Sequence, residues 1–124
     1  MVSLCLKAYI MLICFDCSHS HGTFAKLHEK VRSCRVRDVR RPAGSIEKIC
    51  AAVDLACIWY WKQVLCLQRS AATVCLLRRA GVPARLVIGA QQLPFKAHAW
   101  VEVDGRVVND RPYTPEMYSV LDRC

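Results

Sequence analysis

The chain has 124 residues, enough for one domain with a modest core and little room for a second. Hydrophobic residues make up 54% of it, which excludes an intrinsically disordered chain. The formal charge of +8 favours an acidic partner (peptide, phosphate or nucleic acid) without choosing among them.

Nine cysteines are an odd number, so at least one stays unpaired within the chain. Cys50, Cys57 and Cys75 lie in apolar periodic segments and read as small buried hydrophobes. A reducing, cytoplasmic setting follows more naturally than a secreted disulfide scaffold.

In chain order, residues from about Leu4 to Arg37 read as helix in two pieces, with a break near Ser20-His21-Gly22. The apolar run Ala8 to Phe15 after a lone Lys7 imitates the middle of a signal peptide. It has no small-residue cleavage site, ends at Asp16, and falls far short of the ~20 residues that span a bilayer. A core helix is the better reading. Phe24, Leu27, His28 and Val31 then recur at helical spacing. Arg37 to Gly44, containing Arg40-Arg41-Pro42-Ala43-Gly44, reads as a linker. The chain thus divides into an N-terminal helical region and linker, 1–44, and a core, 45–124, within one compact unit. Ser45 is read as an N-cap, and Ile46, Ile49, Cys50, Val53, Cys57 and Tyr60 form an apolar stripe.

A further helix runs from about Cys66 to Ala80, with Leu67, Ala71, Val74 and Cys75 on one face. Arg78 and Arg79 sit in its last turn, where they suit the helix dipole. Gly81 and Pro83 stop it. Ala84 to Gly89 reads as a buried strand and Gln91 to Lys96 as a loop. Ala97 to Val103 alternates, with Ala97, Ala99, Val101 and Val103 on one face and His98, Trp100 and Glu102 on the other. Asp104-Gly105 signals a hairpin whose return strand is Arg106 to Asp110. Helices first and strands after predict an α+β layout.

The hairpin carries a register question. A two-residue turn pairs Val103 with Arg106 and points Asp110 away from His98. A three-residue turn, Val103-Asp104-Gly105, pairs Glu102 with Arg106 and sets His98 opposite Asp110. Gly at the last loop position favours the second, which is the register expected.

Cys66, His98 and Asp110 then compose a thiol nucleophile on a helix N-terminus, a base on a strand, and a carboxylate that orients the base. A thiol attacks as thiolate, and a helix N-terminus and a neighbouring imidazole both favour that form. Backbone N–H groups near Cys66 and Leu67 could stabilise an oxyanion, with Gln63 as an extra donor. Each residue also has an ordinary reading. A cysteine in an apolar helix is usually core, a histidine on a strand's polar face is usually surface, and Asp110 can cap the turn at Pro112. Spacing alone leaves both readings open.

Longer segments add a resemblance. They are Cys66-Leu67-Gln68-Arg69-Ser70-Ala71-Ala72, Leu76-Leu77-Arg78-Arg79-Ala80-Gly81-Val82-Pro83-Ala84, Leu86-Val87-Ile88-Gly89-Ala90, Phe95 to Gly105 around His98-Ala99-Trp100-Val101-Glu102, and Val108-Asn109-Asp110. From Ala52 to about Leu121 the chain resembles the leader peptidase of lasso-peptide biosynthesis. This is the transglutaminase-like B protein in its stand-alone form, without a leader-recognition domain. Toward the N-terminus the likeness is looser, through Leu12, Asp16, Gly22 and Phe24. The resemblance implies N-terminal helices followed by a transglutaminase- or papain-like core, with the nucleophile at a helix N-terminus packed on a small antiparallel sheet. It implies Cys66 as nucleophile, His98 as base and Asp110 as orienting carboxylate. It further implies cleavage of a ribosomally made precursor peptide, delivery by a leader-recognition protein, and ring closure by a separate asparagine-synthetase-like cyclase that uses ATP. No cofactor, metal, nucleic acid or membrane is implied for this chain. Family precursors usually carry Thr as the second-last leader residue, so a small, partly apolar pocket near Cys66 is expected. Trp59, Tyr60, Trp61 and Trp100 are its candidate walls, or else core.

Three other readings compete. Cys14-x-x-Cys17-x-His19-x-His21 resembles a zinc site but lacks a second spaced pair. Lys30, Arg32, Arg35, Arg37, Arg40 and Arg41 form a basic stretch that could meet phosphates, a solvated face, or an acidic leader or partner, with no nucleic-acid motif beside it. A non-catalytic binding or adaptor protein is the third.

Overall fold

In the computed structural model, residues 2–20, 24–39, 44–60, 66–92, 95–112 and 114–124 are described, without the side chains of 16–20 and 24–25. Two helices open the chain, α1 (Val2–Ser20) and α2 (Phe24–Ser33); His21 and Gly22 of the expected break lie outside the described residues. Ala8, Met11, Leu12 and Phe15 are buried at one-turn spacing, so α1 gives one face to the core. Leu27 and Val31 extend that core from α2. No helix among the described residues is long and apolar enough to cross a membrane.

Helix α2 ends at Ser33, short of the expected Arg37, and the chain runs without regular structure over 34–39; residues 40–43 of the expected linker lie outside the described residues. Helix α3 (Ser45–Trp59) buries Ile49, Cys50, Val53 and Ala56, and Tyr60 beyond it packs on Tyr9 at 5.2 Å. Ser45 is not the cap. Gly44 holds the N-cap position with φ 76, and no side chain caps the helix. The Gly44 carbonyl accepts from Lys48 N–H, the first intrahelical bond, which makes Ser45 the first helical residue.

Helix α4 (Cys66–Arg79) is the axis of the fold. A one-faced stripe is expected from the sequence. Instead every residue from Ser70 to Arg78 is buried, because α4 packs on α1, α2 and α3 as well as on the sheet. Its end is a Schellman motif: Gly81 N–H donates to Arg78 O at 3.0 Å and Val82 N–H to Leu77 O at 2.9 Å. Gly81 has φ 86, and a Cβ there would stand 2.6 Å from the Val39 carbonyl oxygen. Only glycine lets the 34–39 segment lie this close to the turn.

The sheet has the order β3-β2-β1-β4 and is antiparallel throughout. Strands β1 (Ala84–Gln92) and β2 (Phe95–Val103) pair along their full length, from Ala84 opposite Val103 to Gln92 opposite Phe95. Gln91, Gln92, Phe95 and Lys96 therefore lie on strands and not in the expected loop. The ladder continues through backbone bonds that do not need apolar side chains. Pro94 lies outside the described residues. Short strand β3 (Arg106–Val107) returns from the hairpin, and a single-turn helix α5 (Thr114–Met117) leads to β4 (Ser119–Arg123) on the other edge. The result is α+β, with α4 at the centre and the sheet against it.

From Ala99 to Val103 both faces of β2 are covered, while Phe95 to Ala97 are exposed. Ala99, Val101 and Val103 belong to the core that includes α4. On the other face Trp100 is also fully buried, and its indole N–H donates to Glu102 Oε2 at 2.9 Å. Gly89 makes room for that ring: a Cβ at 89 would meet Trp100 Cη2 at 2.7 Å and Tyr118 Cβ at 2.9 Å.

Candidate active site

His98 sits on β2 opposite Gly89, and its Nε2 lies 2.5 Å from Asp110 Oδ2. The pair forms, but not through the expected register. The hairpin has the two-residue turn, with Val103 opposite Arg106 and Glu102 opposite Val107. Asp104 and Gly105 both have positive φ, 52 and 77, as the matching turn type requires. A regular return strand would then turn Asp110 from His98. The strand stops instead. Val108 N–H still donates to Val101 O at 3.0 Å, but Val101 N–H donates to the side-chain Oδ1 of Asn109 at 2.8 Å. Asn109 thus stands in for a ladder carbonyl, the backbone leaves the sheet, and strict alternation no longer governs residue 110.

Asn109 is buried and bonded on every side. Its Nδ2 donates to Ser70 Oγ at 3.0 Å, and its carbonyl accepts from Arg69 at 2.8 Å. Ser70 Oγ in turn donates to Ala99 O at 3.1 Å, beside His98. Arg69 also holds Asp54 at 2.8 Å. This network joins α4, β2 and the segment carrying Asp110. It starts one helical turn beyond Cys66, about 6 Å along the axis.

Burial pushes the Asp110 carboxyl up, but the hydrogen bonds from His98 and from Arg111 N–H, with the positive charges of His98 and Arg69, outweigh it and hold it below the usual carboxylate range. Asp110 is therefore an acceptor. In the neutral tautomer that suits this acceptor, the Nε2 facing Asp110 carries the proton and Nδ1 keeps its lone pair. The imidazole is also held in plane. It stacks on Tyr118 at 5.2 Å and on Trp100 at 6.0 Å.

Cys66 is the first residue of α4, half-buried and packed against the core. The first-turn N–H groups of a helix have no intrahelical acceptor. The helix that begins at Cys66 is joined, one turn on at Ser70, to Asn109 beside Asp110 and to the Ala99 carbonyl beside His98. Cys75, on the same helix, is fully enclosed, and burial with a hydrogen bond from its own S–H to Cys34 pushes its thiol far up. Burial, with Asp54 adding to it, pushes Cys50 to about 11. Both shifts favour the thiol over the attacking thiolate.

The remaining sequence-derived candidates divide. Gln63 and Trp61 lie outside the described residues. Leu67 packs against the core, so only its backbone can serve a reacting group. Trp100 is not a pocket wall: it is fully buried beneath Tyr118. Tyr60 is buried, while Trp59 is 76% exposed beside Leu6 and Tyr9 in an apolar groove between α1 and α3. Of the zinc pattern, Cys14 is half-buried with its carbonyl bonded by Lys30, and the side chains of Cys17, His19 and His21 lie outside the described residues. Ser70, Asn109 and Tyr118 were not foreseen. Asn109 could have been suspected, since a polar residue between a strand and a candidate catalytic carboxylate needs partners. Nothing in the sequence marked Tyr118.

The Transglutaminase-like superfamily profile matches residues 11–123. The chain belongs to the transglutaminase-like superfamily. It is also similar to the Microcin J25-processing protein McjB of Escherichia coli, 43% identical over 56 residues. That match covers 45% of this chain and 27% of McjB, so the chain spans only about a quarter of that relative's length. No solved structure matches the chain.

Proposed function

We propose that this protein is a cysteine peptidase that removes the leader from a ribosomally made lasso-peptide precursor. The observation that carries the reading is the His98–Asp110 pair, locked by Asn109 to the helix that begins at Cys66. Membership of the superfamily and similarity to a microcin-processing protein support it.

In this mechanism Asp110 keeps the Nε2 proton in place and His98 Nδ1 takes the proton of Cys66. The thiolate attacks the carbonyl carbon at the leader–core junction and makes a tetrahedral oxyanion. Backbone N–H groups at the start of α4, including that of Leu67, are the donors that face this charge, with Gln63 as a further candidate. His98 returns its proton to the departing core amine as the C–N bond breaks. The leader remains as a thioester on Cys66 until water, deprotonated by His98, hydrolyses it. No cofactor enters this sequence.

A leader-recognition protein presents the precursor, and an asparagine-synthetase-like cyclase, using ATP, joins the freed amine to a side-chain carboxylate. These reactions belong in the cytoplasm with the precursor. Incubating a lasso precursor with this protein and its leader-binding partner tests the reading by mass spectrometry. A single cut at the leader–core junction is expected, and an intact precursor beside folded wild-type protein overturns it.

A further inference from the structure

At the C-terminal end of α4, a cavity of about 580 Å³ opens between α2, the 34–39 segment, the start of β1 and the end of β4. Five arginines line it: Arg32, Arg35, Arg78, Arg85 and Arg123. Arg78 is buried at the base. Its guanidinium donates to four backbone oxygens, those of Ala84, Val31, Cys34 and Cys124, at 2.7 to 3.1 Å. They satisfy its hydrogen bonds; those of Ala84, Val31 and Cys34 are neutral peptide carbonyls, and the fourth acceptor is an oxygen of Cys124, the last residue of the sequence.

Asp122, which lines the cavity, and Glu102, which pairs with a lining arginine, are both engaged. Asp122 accepts from His28 at 2.7 Å, and Glu102 holds Arg123 at 3.3 Å. Arg32, Arg35 and Arg85 are exposed, and no carboxylate pairs with them among the described residues. Three free guanidiniums over a buried fourth make a hollow with a positive field. A guanidinium matches a carboxylate with two parallel donors, so the fitting ligand presents several carboxylates in a short span.

Cys66 and Arg78 are twelve residues apart on α4, which is about 18 Å along its axis. Extended chain advances about 3.3 Å per residue. A peptide held at Cys66 therefore reaches the hollow only after about six residues or more. The hollow is concave and local rather than a stripe along a face, which favours a peptide segment over a nucleic-acid backbone.

We propose that this cavity is an exosite for an acidic segment of the peptide substrate, six or more residues from the cleaved bond. It rests on the peptidase reading for the peptide's being a substrate, and on the cavity alone for the ligand's charge. The test is fluorescence polarisation with fluorescein-labelled hexaglutamate at low and at physiological salt. Wild type should bind, more weakly as salt rises. The triple variant R32A/R35A/R85A should bind about tenfold more weakly or worse, with each single variant losing part of that. Lys48→Ala, on the exposed side of α3, should bind as wild type does. The triple variant's melting temperature shows that it is folded. Unchanged binding by the triple variant overturns the proposal, as does tighter binding of an oligothymidylate than of hexaglutamate. Hexaglutamate binding needs no turnover, so failure of the peptidase reading leaves this test standing. Normal leader removal by a triple variant that no longer binds hexaglutamate overturns the substrate assignment.

Discussion

At its N-terminal end α4 carries a half-buried thiol beside side chains that bond to one another: Ser70 to Asn109, and beyond them Asp110 to His98. At its C-terminal end it carries an enclosed guanidinium bonded to four backbone oxygens. Both ends spend polar groups in the interior, with different results. Backbone carbonyls are fixed by the fold, so Arg78 staples α2, β1 and the β4 end together and has nothing to exchange. At the other end His98 keeps a second ring nitrogen for a reacting group. On the proposed function, one helix thus separates holding the fold from doing chemistry.

Substitutions sharpen that contrast. Asp110→Asn and His98→Ala should lower kcat for leader removal by about 10²–10⁴-fold, while the melting temperature moves little. A comparable fall in stability would mean that the pair is a strut. Arg78→Met should do the reverse. It leaves buried carbonyls short of a donor, with a stability loss of about 3 kcal/mol in denaturant unfolding and near-normal kcat in the protein that remains folded. Asn109→Ala should blur the two ends, losing about 1–3 kcal/mol and at least some tenfold in activity, because it both fills a buried network and places Asp110.

Gly89→Ala probes the support behind His98. Its Cβ would intrude on Trp100 and Tyr118, at a cost of about 1–3 kcal/mol, readable as a lower melting temperature. The smallest effect is on pH dependence. Asp110 has a depressed folded value, so its contribution to stability is present above the unfolded value of about 4 and is lost as pH falls through the lower folded one. Asp110→Asn should therefore flatten the acid limb of a stability–pH curve. An acid limb identical to wild type would mean that the pairing with His98 is absent in solution.

Much of this was legible because it is periodic. Ala8, Met11, Leu12 and Phe15 mark a core face, and Ala99, Val101 and Val103 alternate with His98. Residue types also signalled the His98–Asp110 pair. The route to it was not legible, since a side chain replacing a ladder carbonyl is invisible to turn rules, and Asn109 does that. Arg78 suggested a helix-dipole partner because the carbonyls that enclose it come from residues 31 to 124, which no local pattern connects. Tyr118 and β4 escaped for the same reason. Ser45 misled as a cap because glycine, with its backbone freedom, took that position.

The most direct test compares two cysteines of one helix in a single assay. Precursor and leader-binding partner are incubated with wild type, Cys66→Ala and Cys75→Ala, and the products are weighed by mass spectrometry. The account predicts that cleavage at the leader–core junction disappears with Cys66→Ala and persists with Cys75→Ala. Cleavage surviving in folded Cys66→Ala would contradict it.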